Sequence, residues 1–300
     1  MKEVKKINRV SKITVAALCA AFAVLNMGPL VGQAVKADEA VAAANDTFYC
    51  ADGDDDFIYG GQGEIADSSY EIEHDYYEIV EDVCYYSAPS FGNLDDSMTN
   101  TCAPAAGTNV VVFYDRWYEN LIPDYTPGIP FDQGYYYYMD MAKPETTNVL
   151  KTLYELMDTN VGSGGTSESQ FLNGLSEYVD NAGYDLSYTS FYDGSKTVDL
   201  DALKNAIDQN KVGVVFCSRY NFVYGIRHDE NKTIVAKEDA NIGHMMMVYG
   251  YQTIAYYKDD INFRTDTFLH VSSGYSGADQ GYLELNSYLN IEDALIMTIS

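Results

Sequence analysis

The chain has 300 residues, with 18 Lys and Arg against 45 Asp and Glu, a formal net charge of −27, and a hydrophobic fraction of 47%. A polyanion of this size is repelled by nucleic acid and by anionic membrane surfaces, which excludes both as partners. The apolar fraction excludes a disordered chain, and the length admits one large domain or two small ones.

Residues 1–37 read as a secretory signal. Lys2, Lys5, Lys6, Arg9 and Lys12 form a basic start, Ile13 to Leu25 is mostly apolar but too short to span a bilayer, and Val35-Lys36-Ala37 offers a cleavage site. No second long apolar run follows, so the expected product is secreted, with no stable membrane insertion. Beyond Ala37 the chain keeps 12 basic and 44 acidic residues, a charge of −32.

Residues 38–85 are acidic and weakly patterned, either a pro-segment or an additional N-terminal layer. Asp52, Asp54, Asp55 and Asp56 suggest a calcium loop, but Phe57 stands where such a loop needs Gly and Gly63 where it needs the bidentate Glu. Tyr70 to Tyr86 suits a strand pair or a short helix. Cys50 and Cys84, both in this segment of an exported chain, are candidates for a disulfide.

Residues 86–210 read mainly as helices. Cys102 precedes Pro104, which is well placed in a first helical turn, and Ala105, Ala106, Val110, Val111, Tyr114 and Trp117 or Tyr118 follow at steps of three and four, as on a helix buried along one face. A second helix, entered through Thr146 or Thr147, carries Val149, Leu150, Leu153, Tyr154 and Met157. Thr166 with Glu168 and Gln170 caps a third helix that ends at Gly183, and a fourth runs from about Leu200 to Gln209.

Residues 211–300 read as strands: Val212 to Cys217, Val223 to Arg227, Thr233 to Lys237, His244 to Tyr251, Thr267 to Ser272, Gly281 to Leu285 and Leu295 to Ile299. Helices followed by antiparallel strands predict an α+β protein whose two halves pack as lobes.

Cys102 at a helix start is favoured as a thiolate by the backbone dipole and the unpaired N–H groups, which suits a nucleophile if a base lies near it. Cys217 ends the apolar run VGVVFC and reads as a buried strand residue. Of the histidines, His74 and His228 lie in polar segments and His270 alternates within a strand. His244 follows Gly243 at the mouth of the strand HMMMVYGY, 142 residues after Cys102. Papain-type enzymes place their histidine about 130–150 residues after the cysteine. No C-x-x-C or H-x-x-x-H spacing and no phosphate-binding Gly loop is present, so neither a metal nor a cofactor is expected.

The run NTCAPAAGTN resembles the nucleophile motif of the bacterial papain-like cysteine peptidases, in the branch related to the double-glycine, bacteriocin-processing peptidases. GHMMMVYGY resembles that family's Gly-His strand, and LHVSSGYSG followed by GYLEL resembles its later strand–turn–strand. The resemblance covers residues 86–300 and implies a papain-like two-lobed fold, helical lobe first and antiparallel β lobe second. It implies a secreted cysteine peptidase acting on a peptide or protein substrate, with Cys102 and His244 catalytic. The third group falls on Ser273, two residues before Tyr275, with Asp266 as an alternative. Asp96 and Ser97 stand where the family supplies an oxyanion Gln, which makes Asn100 the candidate substitute donor. These departures leave open a non-catalytic extracellular binding protein on the same fold. An amidase or acyl-transfer enzyme using the same dyad is also open.

Overall fold

The computed structural model describes residues 58–300 apart from 60–63, 74–77, 86–91, 93–94, 96, 126–128, 132–133, 137–143, 163, 193–196, 230–231 and 276–279. The expected signal, Cys50, the Asp52–Asp56 run and His74 therefore lie outside the described residues. The expected Cys50–Cys84 disulfide does too.

The helices form where the periodicity places them, with adjusted ends. Helix α1 is Cys102–Asp115. The expectation of one buried face is corrected: every residue of α1 is buried, including Thr108, Asn109 and Asp115. A helix buried all round is an internal element, and its polar groups need partners there. Thr108 Oγ1 donates to the Pro104 carbonyl at 2.8 Å, and Asp115 Oδ1 accepts the Ile122 N–H at 2.9 Å. Trp117 falls outside the buried set at 48% exposure.

Helix α2 is Pro144–Leu156 and begins at the proline rather than at Thr146 or Thr147, because a first-turn residue needs no N–H partner. Helix α3 is Glu168–Asn181. Its cap is Ser167, not Thr166: Ser167 Oγ accepts the Gln170 N–H and the Gln170 side chain accepts the Ser167 N–H, a reciprocal box. Helix α4 is Leu200–Asp208, capped by Asp199.

The strands in chain order are β1 Ile58–Tyr59, β2 Glu64–Asp67, β3 Tyr70–Glu73, β4 Glu78–Tyr85, β5 Ile129–Phe131, β6 Gly134–Tyr136, β7 Thr166–Ser167, β8 Leu186–Ser190, β9 Val212–Asp229, β10 Lys232–Asn241, β11 His244–Lys258, β12 Ile261–Ser272, β13 Gln280–Glu284 and β14 Asn290–Ile299. Two of the runs read separately from the sequence, Val212 to Cys217 and Val223 to Arg227, are parts of the single strand β9. The class is α+β with an antiparallel sheet.

The main sheet closes on itself. Strand β9 pairs with β11, β11 with β12, β12 with β13, and β13 again with β9. Strands β10 and β11 follow one another along β9, Ala240 opposite Tyr220 and His244 opposite Cys217. The two-residue joint Ile242-Gly243 between them sets the position of His244. Strand β14 covers the start of β9 and carries β8 on its far side.

Three strands before residue 86 are part of this sheet. Strands β2 and β3 pair with β10, and β4 pairs with β11 from Tyr85 opposite Gly250 to Glu78 opposite Tyr257. The main core lies between α1, with α2 and α3 behind it, and the sheet, and a smaller core of Val223, Val235, Ile254, Tyr256 and Phe268 fills the other end. Among the described residues, no helix is long and apolar enough to cross a membrane.

Candidate active site

Cys102 opens α1, where the first N–H groups of a helix have no partner within it. The N–H groups of Met245 and Ala103 and its own lie near enough to its sulfur to favour the thiolate. Met245 follows His244 in β11, so that contact brings the nucleophile candidate to the strand that carries the base candidate. The approach depends on Gly274. With φ at +74° it adopts a conformation that side chains rarely take, and a Cβ there would lie 3.9 Å from the Cys102 Cα and 3.5 Å from the Ala105 Cβ. The turn after β12 thereby packs on the first turn of α1.

His244 is held from that same turn. Its Nε2 lies 2.6 Å from the Ser273 carbonyl oxygen. A carbonyl only accepts, so Nε2 carries the proton and Nδ1 keeps its lone pair. The expected orienting role of the Ser273 hydroxyl is corrected: the backbone carbonyl of Ser273 makes the contact, and its Oγ accepts the Tyr275 N–H at 3.0 Å. The Tyr275 ring stacks on the imidazole at 4.4 Å between centroids with a 5° tilt, and the Tyr220 ring lies at 5.7 Å and 22°. The two tyrosine hydroxyls bond to each other.

Burial governs the charge state of the pair. Cys102 is 6% exposed and His244 3%. Desolvation pushes the Cys102 thiol up to about 12, against the three N–H groups that would lower it. Desolvation brings His244 down to about 4, against the Ser273 carbonyl that favours the protonated ring. The helix-start argument for an easy thiolate is therefore reversed in the closed site: at neutral pH both groups are uncharged. A neutral thiol can still react with a neutral imidazole as base if the two groups meet and the proton moves as the sulfur attacks.

The other expected groups fall elsewhere. The Asn100 side-chain amide donates to Asn160 Oδ1 at 2.6 Å, and the Asn160 amide donates in turn to the Thr99 carbonyl and the Tyr154 hydroxyl. Asn100 thus braces the loop before α1. The N–H groups at the Cys102 sulfur, those of Cys102 and Ala103, are the donors at hand. Ser97 donates to Asp95, which pairs with Lys151.

Asp266, the alternative third group, accepts from Arg264 at 2.8 Å and from the Tyr70 hydroxyl at 3.4 Å, in the smaller core's surroundings and away from His244. His228 sits between Thr233 and Glu81. His270 is buried against Tyr249 and Tyr282. Among the described residues, no group of three or more His, Cys, Asp or Glu is arranged to hold a metal ion. Sequence reasoning misses Tyr220, which no spacing marks. It also misses the Met245 N–H, a backbone group that residue type does not reveal.

Compared with known proteins, the chain matches no family model and no curated relative.

Proposed function

We propose that the protein is a papain-like, two-lobed cysteine peptidase that acts outside the cell, with Cys102 as nucleophile and His244 as base. The observation that carries this reading is the convergence on one sulfur of a helix start and the His244 strand, with the imidazole tautomer set by the Ser273 carbonyl. Nδ1 of His244 takes the thiol proton as the Cys102 sulfur bonds to the substrate carbonyl carbon. The oxygen of the tetrahedral adduct takes up negative charge near the Cys102 and Ala103 N–H groups. The imidazolium then protonates the leaving amine, and a thioester remains. Water gives a proton back to His244, attacks the thioester, and frees the acid and the thiol.

The closed, uncharged state of the dyad favours a second reading, a non-catalytic binding protein of the same fold. One experiment separates the two. Reduced, folded protein is treated with iodoacetamide at pH 7 and mapped by mass spectrometry, with Cys217, buried in β9, as the internal control. The peptidase reading expects Cys102 to be modified faster than Cys217 and to slow in His244→Ala. It also expects hydrolysis of a peptide library to fall at least ~10³-fold in Cys102→Ser. Equal, slow labelling of both cysteines together with no hydrolysis overturns it.

A further inference from the structure

From the His244 ring a run of aromatic side chains leads across the sheet to a carboxylate. Tyr275, stacked on the imidazole at 4.4 Å, meets Phe222 of β9 edge to face at 5.9 Å, and Phe222 meets Tyr224 at 4.9 Å. Phe222 is buried and forms a floor, Tyr275 is half-buried and Tyr224 is 40% exposed. Gly281 of β13 leaves room for that floor, since a Cβ there would collide with the Phe222 ring. Glu238 of β10 stands opposite Phe222 in the ladder, so the two side chains share a face. Val223 lies opposite Lys237 and Gly225 opposite Ala236, which makes Tyr224 the extra residue of a bulge. A bulge re-aims its side chain, and the Tyr224 hydroxyl donates to Glu238 Oε2 at 2.6 Å. That bond leaves the carboxylate its charge. No Lys or Arg pairs with Glu238 among the described residues, and the neighbouring Lys237 is taken by Glu284 at 2.7 Å. Burial pushes the Tyr275 hydroxyl up, and charges at Cys102 and Glu238 raise it further. The nucleophile and this carboxylate are thus both within electrostatic reach of one ring.

We propose that Tyr275, Tyr224 and Glu238 form a subsite for the side chain of a Lys or Arg that follows the scissile bond of the substrate. The side of the bond follows from the chemistry. The acyl part stays on the Cys102 sulfur, whereas the leaving amine takes its proton from His244, so the chain beyond that amine runs out past the imidazole and the ring stacked on it. An extended chain advances ~3.3 Å per residue, which brings about the first three residues after the bond within reach of the carboxylate. The exposed rings hold the aliphatic stem and attract the cation, and Glu238 pairs with it. A chain of net charge −27 also draws basic peptides from a distance. The proposal rests on the peptidase reading for the register of cleavage, and on the geometry of the three side chains alone for the binding of a cation.

The test uses the full chain, with hydrolysis mapped on a positional peptide library and binding read by fluorescence anisotropy in Cys102→Ala, which forms no thioester. The binding probes are labelled alanine-rich peptides that differ only in a central Lys, norleucine or Glu. The parent is expected to cleave ahead of Lys or Arg with a kcat/KM about tenfold above the norleucine counterpart, the order that a cation–π contact and an ion pair supply together. The difference falls on KM, because the contact is made equally in ground and transition states. Cys102→Ala is expected to bind the Lys peptide about tenfold more tightly than the norleucine peptide, less so as salt is raised. Glu238→Gln keeps the size of the side chain and an acceptor for Tyr224, and brings both ratios to about one. Glu238→Lys turns binding in favour of the Glu peptide, which a misfolded variant would not do. Equal binding of the Lys and norleucine peptides overturns the subsite, as does a preference that Glu238→Gln leaves intact. Hydrolysis with no preference for a following Lys or Arg also overturns it, and leaves the peptidase reading standing. If no peptide is hydrolysed while the binding ratio is lost in Glu238→Gln, the cation site holds and the peptidase reading falls.

Discussion

His244 shows how little of a residue's chemistry lies in its type. The ring is 3% exposed, stacked on Tyr275 and bonded through Nε2 to a backbone carbonyl. Desolvation outweighs that bond and lowers its pKa to about 4, and burial takes His270 to about 3. Between the ordinary value of 6.5 and these folded values the unfolded chain binds more protons than the native one, so stability rises with pH across that window. Acidification from pH 6.5 is thus expected to destabilise the fold, with the His244 part complete near pH 4. Urea melts of the parent and of His244→Asn at several pH values check this. The variant is expected to lose less stability between pH 6.5 and pH 4, and to keep the remainder that His270 contributes. Equal slopes in the two proteins would exclude His244 as a source.

At the scale of elements, the helices hold their places through close backbone approach as much as through apolar periodicity. Gly174 on α3 lies against the end of α2, where an added Cβ would come within 2.7 Å of the Met157 backbone nitrogen and 2.8 Å of the Leu156 carbonyl carbon. Backbone does not yield as a side chain tip would. Gly174→Ala, which on helix propensity alone would stabilise by up to about 1 kcal/mol, is therefore expected to destabilise by ~1–3 kcal/mol through overpacking. A thermal melt that shows a gain would overturn the close contact. The same elements explain where sequence and structure part. Periodicity locates α1 but suggests one buried face, because Thr108 and Asn109 look like solvent residues until a partner for each is known. The strand β9 looks like two because Ser218 to Phe222 carries polar residues, among them Ser218, Arg219 and Asn221, that bond across the sheet or to Tyr288, Asn286 and Glu292.

On the scale of the whole molecule, the N-terminal strands are joined to the closed sheet by a nearly buried set of charges. Lys237 Nζ and Glu284 Oε2 are 2.7 Å apart with side chains 11% and 7% exposed, and the Tyr70 hydroxyl donates to Glu284 at 3.1 Å. Removing one partner of such a pair strands the other charge, at a cost of about 3–5 kcal/mol. Lys237→Met is expected to lower the unfolding free energy by that order in denaturant titrations, whereas Lys232→Met, whose partner Glu71 is half exposed, is expected to lose at most ~1 kcal/mol. Similar losses in both would show that burial does not set the difference.

Much of this protein is legible in its residues alone. The α+β class, the four helices, the strand-rich second half and the placement of Cys102 at a helix start with His244 at a strand start all follow from local periods of about 3.6 and 2 residues and from local caps. The segment before residue 86 stays open at that level because its polar, weakly alternating strands become strands by pairing with β10 and β11, which lie far along the chain. Only the tertiary structure decided that the Ser273 carbonyl, not its hydroxyl, holds the imidazole, that Asn100 turns to Asn160, that the thiol and imidazole rest uncharged, and that β1 lies on β7. The physical reason is one of range. Helix and strand signals act over a few neighbouring residues, whereas desolvation and hydrogen-bond choice are set by groups that the chain brings together from far apart.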